Sequence, residues 1–289
     1  MAQSQGQDDQ DDATDLMNVI IAARNEENYI GACLEALLEQ SGDAGKIETI
    51  LAANACSDRT VEVAESYIPR FEARGWVLTV IDVPEPGKVN ALNAADARAT
   101  GDGLVFLDAD VRCDPNLLAQ LRGALSVQSP RYATGTLEVA PAKTWFTRRY
   151  ASLWVELPFV KGGAVGAGLF AMNRAGRSRW GAFPNIISDD TFVRLQFAPE
   201  ERIEVPARYH WPMVEGFANL VRVRRRQDAG VHEIQRLYPD IMDREAKAPV
   251  TRGDLLKLLV KKPVSFCVYA LVHVAVRLRR SNEGWDRGR

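Results

Sequence analysis

The sequence predicts an α/β fold built on a mainly parallel sheet. Strand-like and helix-like patterns alternate through the first 130 residues at intervals of about 25–30 residues, which is typical of β-α-β units. Polar clusters follow the predicted strands directly, at the positions where open α/β sheets bind their ligands. With 289 residues, 46% of them hydrophobic, the composition excludes collagen-like, disulfide-scaffold and wholly disordered proteins.

The first half of the chain supplies four predicted strands, each a short apolar run followed by a segment with helical periodicity. The first run, NVIIAA, is rich in β-branched residues, and apolar residues then recur at helical spacing. Asp114-Pro115 offers an N-cap and a first-turn proline for the fourth helix. The predicted strands are 18–23, 47–53, 76–83 and 104–107, and the predicted helices are 27–40, about 58–74, 90–100 and 114–127.

Beyond about residue 130 the alternation loosens, and the sequence contains no internal repeat. Two further strands are predicted at 132–139 and 165–172, and a helix is predicted from Asp190 to Phe197. The chain therefore continues the same domain without a regular β-α-β pattern.

Charge is unevenly distributed, although 36 basic and 38 acidic residues give a net charge of −2. Residues 1–16 carry five Asp and no base, residues 17–221 are net acidic, and residues 222–289 carry 16 basic and 8 acidic side chains. We expect a disordered acidic tail over 1–16, a globular domain over 17–250 and a basic, apolar helical segment over 251–289. The acidic body argues against nucleic acid as a partner.

The C-terminal segment contains an apolar run of 13 residues, 264–276, which is shorter than the roughly 20 residues of a membrane-spanning helix. Lysines precede this run and arginines follow it, as in an interfacial helix on an anionic membrane. The alternative is a helix that closes the core or forms a dimer interface.

Four cysteines lie far apart without a CxxC pair, and the N-terminus has no basic start followed by an apolar run. We therefore expect reduced structural thiols and a cytoplasmic protein, either free or peripheral on the cytoplasmic face of the membrane.

The polar clusters after the strands predict a nucleotide-type ligand across the first half. Two carboxylates separated by one residue, Asp108 and Asp110, follow a buried strand and suit Mg²⁺ or Mn²⁺ with open positions for phosphate oxygens. The other clusters are Arg24-Asn25-Glu26, Asn54 and Ser57-Asp58.

Several further residues each have a functional and a structural interpretation. Lys88 opens a helix and either neutralises a ligand phosphate or is simply solvated. Gly166 and Gly168, like Gly162-Gly163 before them, either admit a ligand close to the backbone or mark tight packing or a bulge. Ser188-Asp189-Asp190 either caps a helix or holds a carboxylate base, and one pair of acids can do both.

Two basic features remain. Four arginines occupy five positions, 222–226, and Arg226 is the candidate among them for gripping a diphosphate; lipid phosphates are the other ligand of such a cluster. His210 is a third metal ligand, a phosphate contact or simply a packed side chain. The sequence has no Ser/His/Asp arrangement and no His/Cys cluster, which argues against a hydrolase triad and a zinc site.

Taken together, six stretches in order resemble an inverting, family 2 glycosyltransferase of the GT-A fold, over about residues 18–230. They are VIIAARNEE at 19–27, NACSDRT at 54–60, GKVNALN at 87–93, FLDAD at 106–110, the strand with Gly166 and Gly168, and SDD at 188–190.

The resemblance implies transfer of a sugar from a nucleotide-sugar donor to a hydroxyl acceptor with Mn²⁺ or Mg²⁺. It implies that Asp190 is the catalytic base beside Asp189, that Asp110 holds the metal, and that Asp108 contacts ribose or metal. Nucleotide contacts are implied for Ala22, Arg24, Glu26, Asn54 and Lys88.

Two departures from the family pattern refine the expectation. The family commonly has an acid where this chain has Asn54, so a UDP-sugar is favoured but the base identity stays open. The Gln-x-x-Arg-Trp element of processive members is absent, which favours transfer of a single sugar, with a lipid-linked acceptor or a role in cell-surface glycan synthesis as options. The rival hypotheses are a sugar nucleotidyltransferase and a non-catalytic nucleotide-sugar-binding protein associated with membranes.

Overall fold

The computed structural model describes residues 16–161 and 164–278, and within them one sheet of eight strands runs through the molecule. The strands stand in the order β3-β2-β1-β4-β7-β6-β8-β5. Their bounds are β1 Leu16–Ala23, β2 Lys46–Asn54, β3 Val77–Val83, β4 Gly103–Asp108, β5 Arg112–Cys113, β6 Tyr132–Val139, β7 Leu169–Asn173 and β8 Arg202–Trp211.

Helices cover both faces of this sheet and add a layer at the C-terminal end. The α-helices of the described residues are α1 Ile30–Leu38, α2 Thr60–Glu65, α3 Ile68–Ala73, α4 Lys88–Asp96, α5 Leu117–Leu125, α6 Trp145–Trp154, α7 Arg174–Arg177, α8 Asp189–Leu195, α9 Phe217–Leu237, α10 Pro239–Met242, α11 Arg252–Lys261 and α12 Pro263–Leu278. Short 3-10 helices lie at Gly42–Ala44 and Pro199–Glu201.

The first four strands pair in parallel, so their carboxyl ends meet at one edge of the sheet. β1 lies between β2 and β4, and its Ala22 is in register with Ala52 on one side and Asp108 on the other. β7 joins β4 in antiparallel fashion, and β6 and β8 extend a mixed second half. The predicted α/β architecture is confirmed, with the parallel part confined mostly to the first half.

Both faces of the central strand are buried, which explains its continuous apolar run. Val19 and Ile21 enter the core beneath α1 and α5, whereas Ile20 enters the core beneath α4. Parallel strands buried on both sides lack the alternation of apolar and polar residues that a half-exposed strand shows.

A third apolar cluster joins the C-terminal helices to the domain. Val268 and Val272 of α12 are buried against Tyr150 and Trp154 of α6, together with Leu220 of α9. No helix in the described part of the chain is both long enough and apolar enough to span a membrane.

Several sequence predictions need correction. The segment predicted as one helix over 58–74 forms two, α2 and α3, and the strand predicted at 165–172 begins only at Leu169 because Gly166 and Gly168 have φ angles of 66° and 76°. Strand β8 and helices α6 and α9 were not predicted. The acidic tail except Leu16, the pair Gly162-Gly163, and the arginines after Leu278 lie outside the described residues.

Candidate functional site

The loops after β1 and β2 are hydrogen-bonded into one rim at the carboxyl edge. The Asn25 Oδ1 atom accepts from the Ser57 amide at 2.8 Å, and the Glu26 amide donates to Thr60 Oγ1 at 2.7 Å. Asn25 and Ala55 have φ angles of 53° and 47°, the left-handed region that non-glycine residues rarely adopt. Such backbone is typical of binding sites, where the surrounding bonds hold the strain in place.

Asp58 is the structural centre of this rim. Its Oδ1 atom accepts from the amide and the hydroxyl of Thr60 at 3.0 and 2.6 Å, and its Oδ2 atom accepts from the Glu27 amide at 3.2 Å. Burial alone would raise the pKa of Asp58, but these hydrogen bonds outweigh it and lower the pKa below the ordinary value. The ionised Asp58 carboxylate therefore fixes the Glu27 amide directly and the Glu26 amide through Thr60.

Asn54 is buried and supports the loop that leads to Lys88. Its Nδ2 atom donates to the carbonyls of Val83 and Glu85 at 3.2 and 2.6 Å, and its Oδ1 atom accepts from the Gly87 amide at 2.7 Å. Both amide hydrogens and one lone pair of Oδ1 are thus used within the protein. The predicted contact of Asn54 with a nucleotide base stays a prediction.

Asp108 lies at the end of β4, beside Ala22 of β1. Its backbone amide donates to the Gly168 carbonyl at 2.8 Å, which fixes the end of the strand. A Cβ atom on Gly168 would lie 2.7 Å from Trp211 Cδ1, so this glycine is required for packing next to Asp108. The Asp108 side chain is 37% exposed and points to where a ligand can reach it.

Three charged side chains from distant parts of the sequence meet at this edge. The Lys88 Nζ atom lies 3.1 Å from Asp108 Oδ1 and 3.0 Å from Asp189 Oδ2. Burial by itself would lower the pKa of Lys88, but the two carboxylates raise it above the ordinary value. Asp189 is buried, and burial raises its pKa in spite of the neighbouring lysine. Lys88 is therefore a fixed cation at the site.

Asp189 and Asp190 open helix α8 after Ser188, the N-cap residue. The Ser188 side chain makes no capping hydrogen bond, and Asp190 Oδ1 accepts only from the adjacent Thr191 amide, at 2.6 Å, among the hydrogen bonds seen for it. Asp190 is partly exposed whereas Asp189 is buried. The two acids thus differ: Asp189 is buried and contacts Lys88, whereas Asp190 is partly exposed.

Helix α9 supports the segment that carries these two acids, which the sequence did not indicate. Glu233 Oε2 accepts from the Ile187 amide at 2.8 Å, and a Cβ atom on Gly230 would lie only 2.1 Å from Ser188 Oγ. Arg226 stands four residues before Gly230 and therefore on the same face of α9. An isolated glycine within a helical pattern was the one available signal.

The other arginines of the 222–226 cluster contact protein groups. Arg224 binds Gln227 at 3.0 Å and Asp228 at 3.1 Å on its own helix. Arg225 donates to the carbonyls of Ala275 and Val276 near the end of α12. The density of arginines in this stretch thus serves helix packing in part, and the diphosphate contact of Arg226 stays a prediction.

His210 of β8 is engaged away from the predicted metal pair. Its Nε2 atom lies 2.9 Å from Asp114 Oδ1, and its Nδ1 atom lies 3.9 Å from Glu138 Oε1. Within the described residues, no group of three or more His, Cys, Asp and Glu side chains is arranged to hold a metal ion. A pair of carboxylates still fits a hard cation that takes its remaining ligands from substrate phosphates and water.

Asp108 and Asp110 are two carboxylates separated by one residue at and just after the end of β4. The Lys88 ammonium already stands at Asp108 and so marks a position at which positive charge is stabilised. The carboxylate oxygens of these two residues therefore suit Mg²⁺ or Mn²⁺ as metal ligands.

The charged side chains Lys88, Asp108 and Asp189 meet at the carboxyl edge of the parallel strands, which is where open α/β sheets bind their ligands. The family model for glycosyl transferase family 2 matches residues 18–177, more than half of the chain. The chain belongs to this family.

Curated relatives match over the first part of the domain. The chain is 30% identical over 94 residues to YdaM of Bacillus subtilis (strain 168), named a probable glycosyltransferase, and 28% identical over 112 residues to glycosyltransferase AglE of Haloferax volcanii. These matches cover 32% and 39% of this chain but 22% and 35% of the relatives. The chain thus corresponds to about a fifth to a third of their length.

Solved structures share the fold across almost the whole chain. The mannosyltransferase PcManGT of Pyrobaculum calidifontis, in complex with GDP-Man and Mn²⁺, has a TM-score of 0.56 and 20% identity, with 92% of this chain and 76% of that chain covered. TarS 1-349 of S. aureus, in complex with UDP-GlcNAc, has a TM-score of 0.53 and 15% identity, with 90% and 81% covered. Both likenesses agree with the GT-A-like architecture.

Proposed function

We propose that this protein transfers a single sugar from a nucleoside diphosphate sugar to a hydroxyl acceptor with inversion at the anomeric carbon. The observation that carries the proposal is the meeting of Lys88, Asp108 and Asp189 at the carboxyl edge of the sheet, with Asp190 beside them. Lys88 and Asp189 are 101 residues apart in sequence. Such a convergence, with one buried and one accessible acid, supports a site for an anionic donor and a proton acceptor.

The donor would bind along the rim formed after β1 and β2. Ala22, Arg24 and Glu26 would contact the base and ribose, and Lys88 and Arg226 would neutralise the diphosphate. The proposal is supported by the neighbours solved with GDP-Man and with UDP-GlcNAc. We favour a UDP-sugar as the donor, in agreement with the sequence-based expectation. GDP-sugars are the competing donors in the test below.

A divalent metal, Mn²⁺ or Mg²⁺, would be held by Asp110 together with Asp108. When bound, it would stabilise the negative charge of the nucleoside diphosphate leaving group. His210 would join this set only after leaving Asp114, which is 2.9 Å away.

Asp190 would act as the general base. Its carboxylate would take the proton of the acceptor hydroxyl while the hydroxyl oxygen bonds to the anomeric carbon and the bond to the diphosphate oxygen breaks. A single displacement of this kind inverts the anomeric centre. Asp189 would position Lys88 at the donor and leave Asp190 as the accessible acid.

We further propose a location and a class of acceptor for this reaction. Four free cysteines suit a reducing compartment and support a cytoplasmic location. The acceptor would be lipid-linked if the C-terminal helices dock on a bilayer, as proposed below. A comparison of water-soluble and lipid-linked hydroxyl acceptors decides this part.

The first test is Asp190→Asn. We expect turnover, followed as nucleoside diphosphate release with the donor that binds, to fall about 10²–10⁴-fold because the general base is lost. Donor affinity should stay within about twofold, and Asp43→Asn, at an exposed position, serves as the control for a lost surface charge. Near-wild-type transfer by Asp190→Asn would overturn the role of this residue, and a product with retained configuration by NMR would overturn single displacement.

The second test addresses metal and base together. Thermal unfolding with UDP, GDP and other nucleoside diphosphates should show one selective stabilisation that requires Mn²⁺ or Mg²⁺, of about 2.7 kcal/mol at a ligand concentration of 100 Kd. Asp110→Asn should remove the metal requirement together with most of that stabilisation. Equal stabilisation with and without metal would contradict the assignment of Asp108 and Asp110.

A further inference from the structure

Helix α12 is apolar on two opposite faces but is covered on only one of them. Its inner face packs on the domain through Val268 and Val272, and Ser265 shares a hydrogen bond of 2.9 Å with Ser152 of α6. The rings of Tyr269 and Tyr150 stack at 5.5 Å. These contacts fix the orientation of the helix, so the identity of its outward-facing residues is determined.

The outer face forms a continuous apolar stripe, which we call the C-terminal stripe. Its members recur every three or four residues, the spacing of one helix face. They are Val264, Cys267, Leu271, Val274 and Leu278, all of them exposed, with Leu271 and Val274 each at 52%. Among the described residues nothing covers this face. A helix that is apolar all round and covered on one side exposes surface that water solvates poorly.

Helix α11 extends the same kind of surface. Leu256, Leu259 and Val260 are exposed, and Val260 is 77% exposed. Lys257 and Lys261 stand among them with exposed side chains. Exposed apolar side chains interleaved with lysines are the composition of helices that lie in a membrane interface.

Cations mark both ends of the C-terminal stripe. At its start, Lys161, Lys261 and Lys262 surround the single carboxylate of Glu156 at 2.9 to 3.4 Å, so positive charge remains in excess. At its other end, Arg277 is exposed. If two copies paired through antiparallel stripes, the cationic start of one stripe would meet the cationic end of the other. If the stripes were parallel, start would meet start and end would meet end. A second copy of this chain therefore meets repulsion in either orientation.

We propose that the C-terminal stripe and the exposed face of α11 dock the protein on an anionic phospholipid bilayer. Helix α12 would lie parallel to the bilayer surface along a length of about 24 Å, with its apolar side chains at the acyl boundary. The lysines of α11 and Arg277 would contact lipid phosphates. This docking uses none of the residues of the proposed transfer reaction, and its test needs no substrate.

Vesicle binding of the full-length protein tests the proposal. We expect flotation with vesicles of phosphatidylcholine and phosphatidylglycerol, weaker binding to phosphatidylcholine alone, and release by high salt because exposed charges are screened. Lys257→Gln/Lys261→Gln should weaken binding by at least tenfold, since each lysine near an anionic surface contributes about a fivefold change, or ~1 kcal/mol.

Apolar insertion is tested by Leu271→Gln/Val274→Gln, which should lower vesicle affinity at least tenfold while preserving the unfolding midpoint. The matched control is Val77→Gln on β3, where a valine is equally exposed, at 52%, but far from the stripe in the fold. Equal binding by the stripe variant and this control would overturn the proposal.

Cys267 gives a direct reading of depth. Cys33 and Cys113 are buried, so in a Cys56→Ala background a polarity-sensitive thiol label should react at Cys267. A blue shift of its emission with anionic vesicles, absent with neutral ones, is the expected result. No shift, or sedimentation as a dimer that Leu271→Gln/Val274→Gln dissociates, would overturn the proposal; the dimer would assign the stripe to a second copy.

Discussion

Lys88 determines the charge balance of the candidate site. It neutralises a buried acid, Asp189, and an accessible one, Asp108, through contacts of 3.0 and 3.1 Å. A buried carboxylate without a partner would be costly, because desolvation penalises its charged form. Lys88, which is proposed to contact the donor phosphate, therefore also offsets the desolvation cost of burying Asp189.

The pair is expected to behave as a unit in stability measurements. Lys88→Met should lower the free energy of unfolding at pH 7 by about 1–3 kcal/mol, because it leaves Asp189 unpaired. Lys88→Met/Asp189→Asn should recover much of that loss, since the unpaired charge is gone. Urea unfolding of the wild type, the two single variants and the double variant measures the coupling.

The control for this cycle is Arg208→Met, which removes an ion pair with Glu138 between side chains that are 61% and 45% exposed. It should change stability by less than about 1 kcal/mol, because water screens exposed pairs. Additive losses in the cycle at Lys88 and Asp189 would show that the two side chains do not depend on each other.

The strand ends that form the candidate site were predicted from the sequence, whereas part of the support from helix α9 was not. The ends of β1, β2 and β4 carry Arg24, Asn54 and Asp108 to one edge, and the sequence alone predicted this because parallel strands place their carboxyl ends together. In the segment that forms helix α9 the sequence singled out Arg226 but not Gly230 and Glu233, which hold the segment before Asp189. Contacts between segments more than 40 residues apart leave no periodic signal in a single sequence.

The close approach of α9 gives a prediction for this element. Gly230→Ala should displace Ser188 and the acids after it, since the added Cβ would meet Ser188 Oγ at 2.1 Å and Ser188 Cβ at 3.0 Å. We expect a loss of about 1–3 kcal/mol in unfolding free energy and a larger proportional loss of transferase activity than of donor affinity. Denaturant unfolding, donor titration and turnover measure these three quantities.

The matched control is Gly123→Ala in α5, where an added Cβ meets nothing within 4 Å. This change should be neutral or stabilise the protein by up to about 1 kcal/mol, because alanine is the better helix former. A Gly230→Ala variant as stable and active as Gly123→Ala would mean that α9 does not position the acids.

At the scale of the whole molecule, hydrogen-bonded carboxylates tie the layers together. Glu156 connects α6 to the start of α12, and its hydrogen bonds from Lys161 and Lys262 lower its pKa to about 2. Glu245 holds Arg194 of α8, and although burial alone would raise its pKa, the bonds from that arginine lower it. Each of these acids is more acidic in the folded state than in the unfolded chain.

Stability should therefore fall on acidification. A carboxylate with a lowered folded-state pKa contributes stability above its unfolded value, near 4.5 for Glu156, and loses it as pH falls from there towards about 2. Asp189, whose pKa is raised by burial, contributes with the opposite sign. Because most of the shifted carboxyl groups have a lowered pKa, the urea midpoint should stay constant near neutral pH and fall steadily below about pH 4.5.

Glu156→Gln is the variant that isolates one contribution. It should cost about 1 kcal/mol at pH 7, discounted for solvent screening of the lysines, and roughly half of that at pH 3, which lies between the unfolded-state pKa near 4.5 and the folded-state pKa of about 2. The same cost at both pH values would contradict the assignment of the lowered pKa to the lysine contacts.

The α/β class, the succession of the first four strands and their helices along the chain, and the acids at the strand ends could all be deduced from the sequence. These features follow from local periodicity and from the rule that parallel strands end together, so they can be deduced without a partner segment. Its family resemblance to glycosyltransferase family 2 was also carried by short local motifs, and the matching family model confirmed it.

The partner of each of these residues, in contrast, is known from the fold. The fold bonds Asn54 to the loop before Lys88 and pairs His210 with Asp114. It also brings Asp189 rather than Asp190 into contact with Lys88. It also separated the buried face of α12 from the exposed one, although both are apolar in sequence. The physical reason is the same in each case: pairing and burial depend on segments that are distant along the chain, and these meet only when the core has formed.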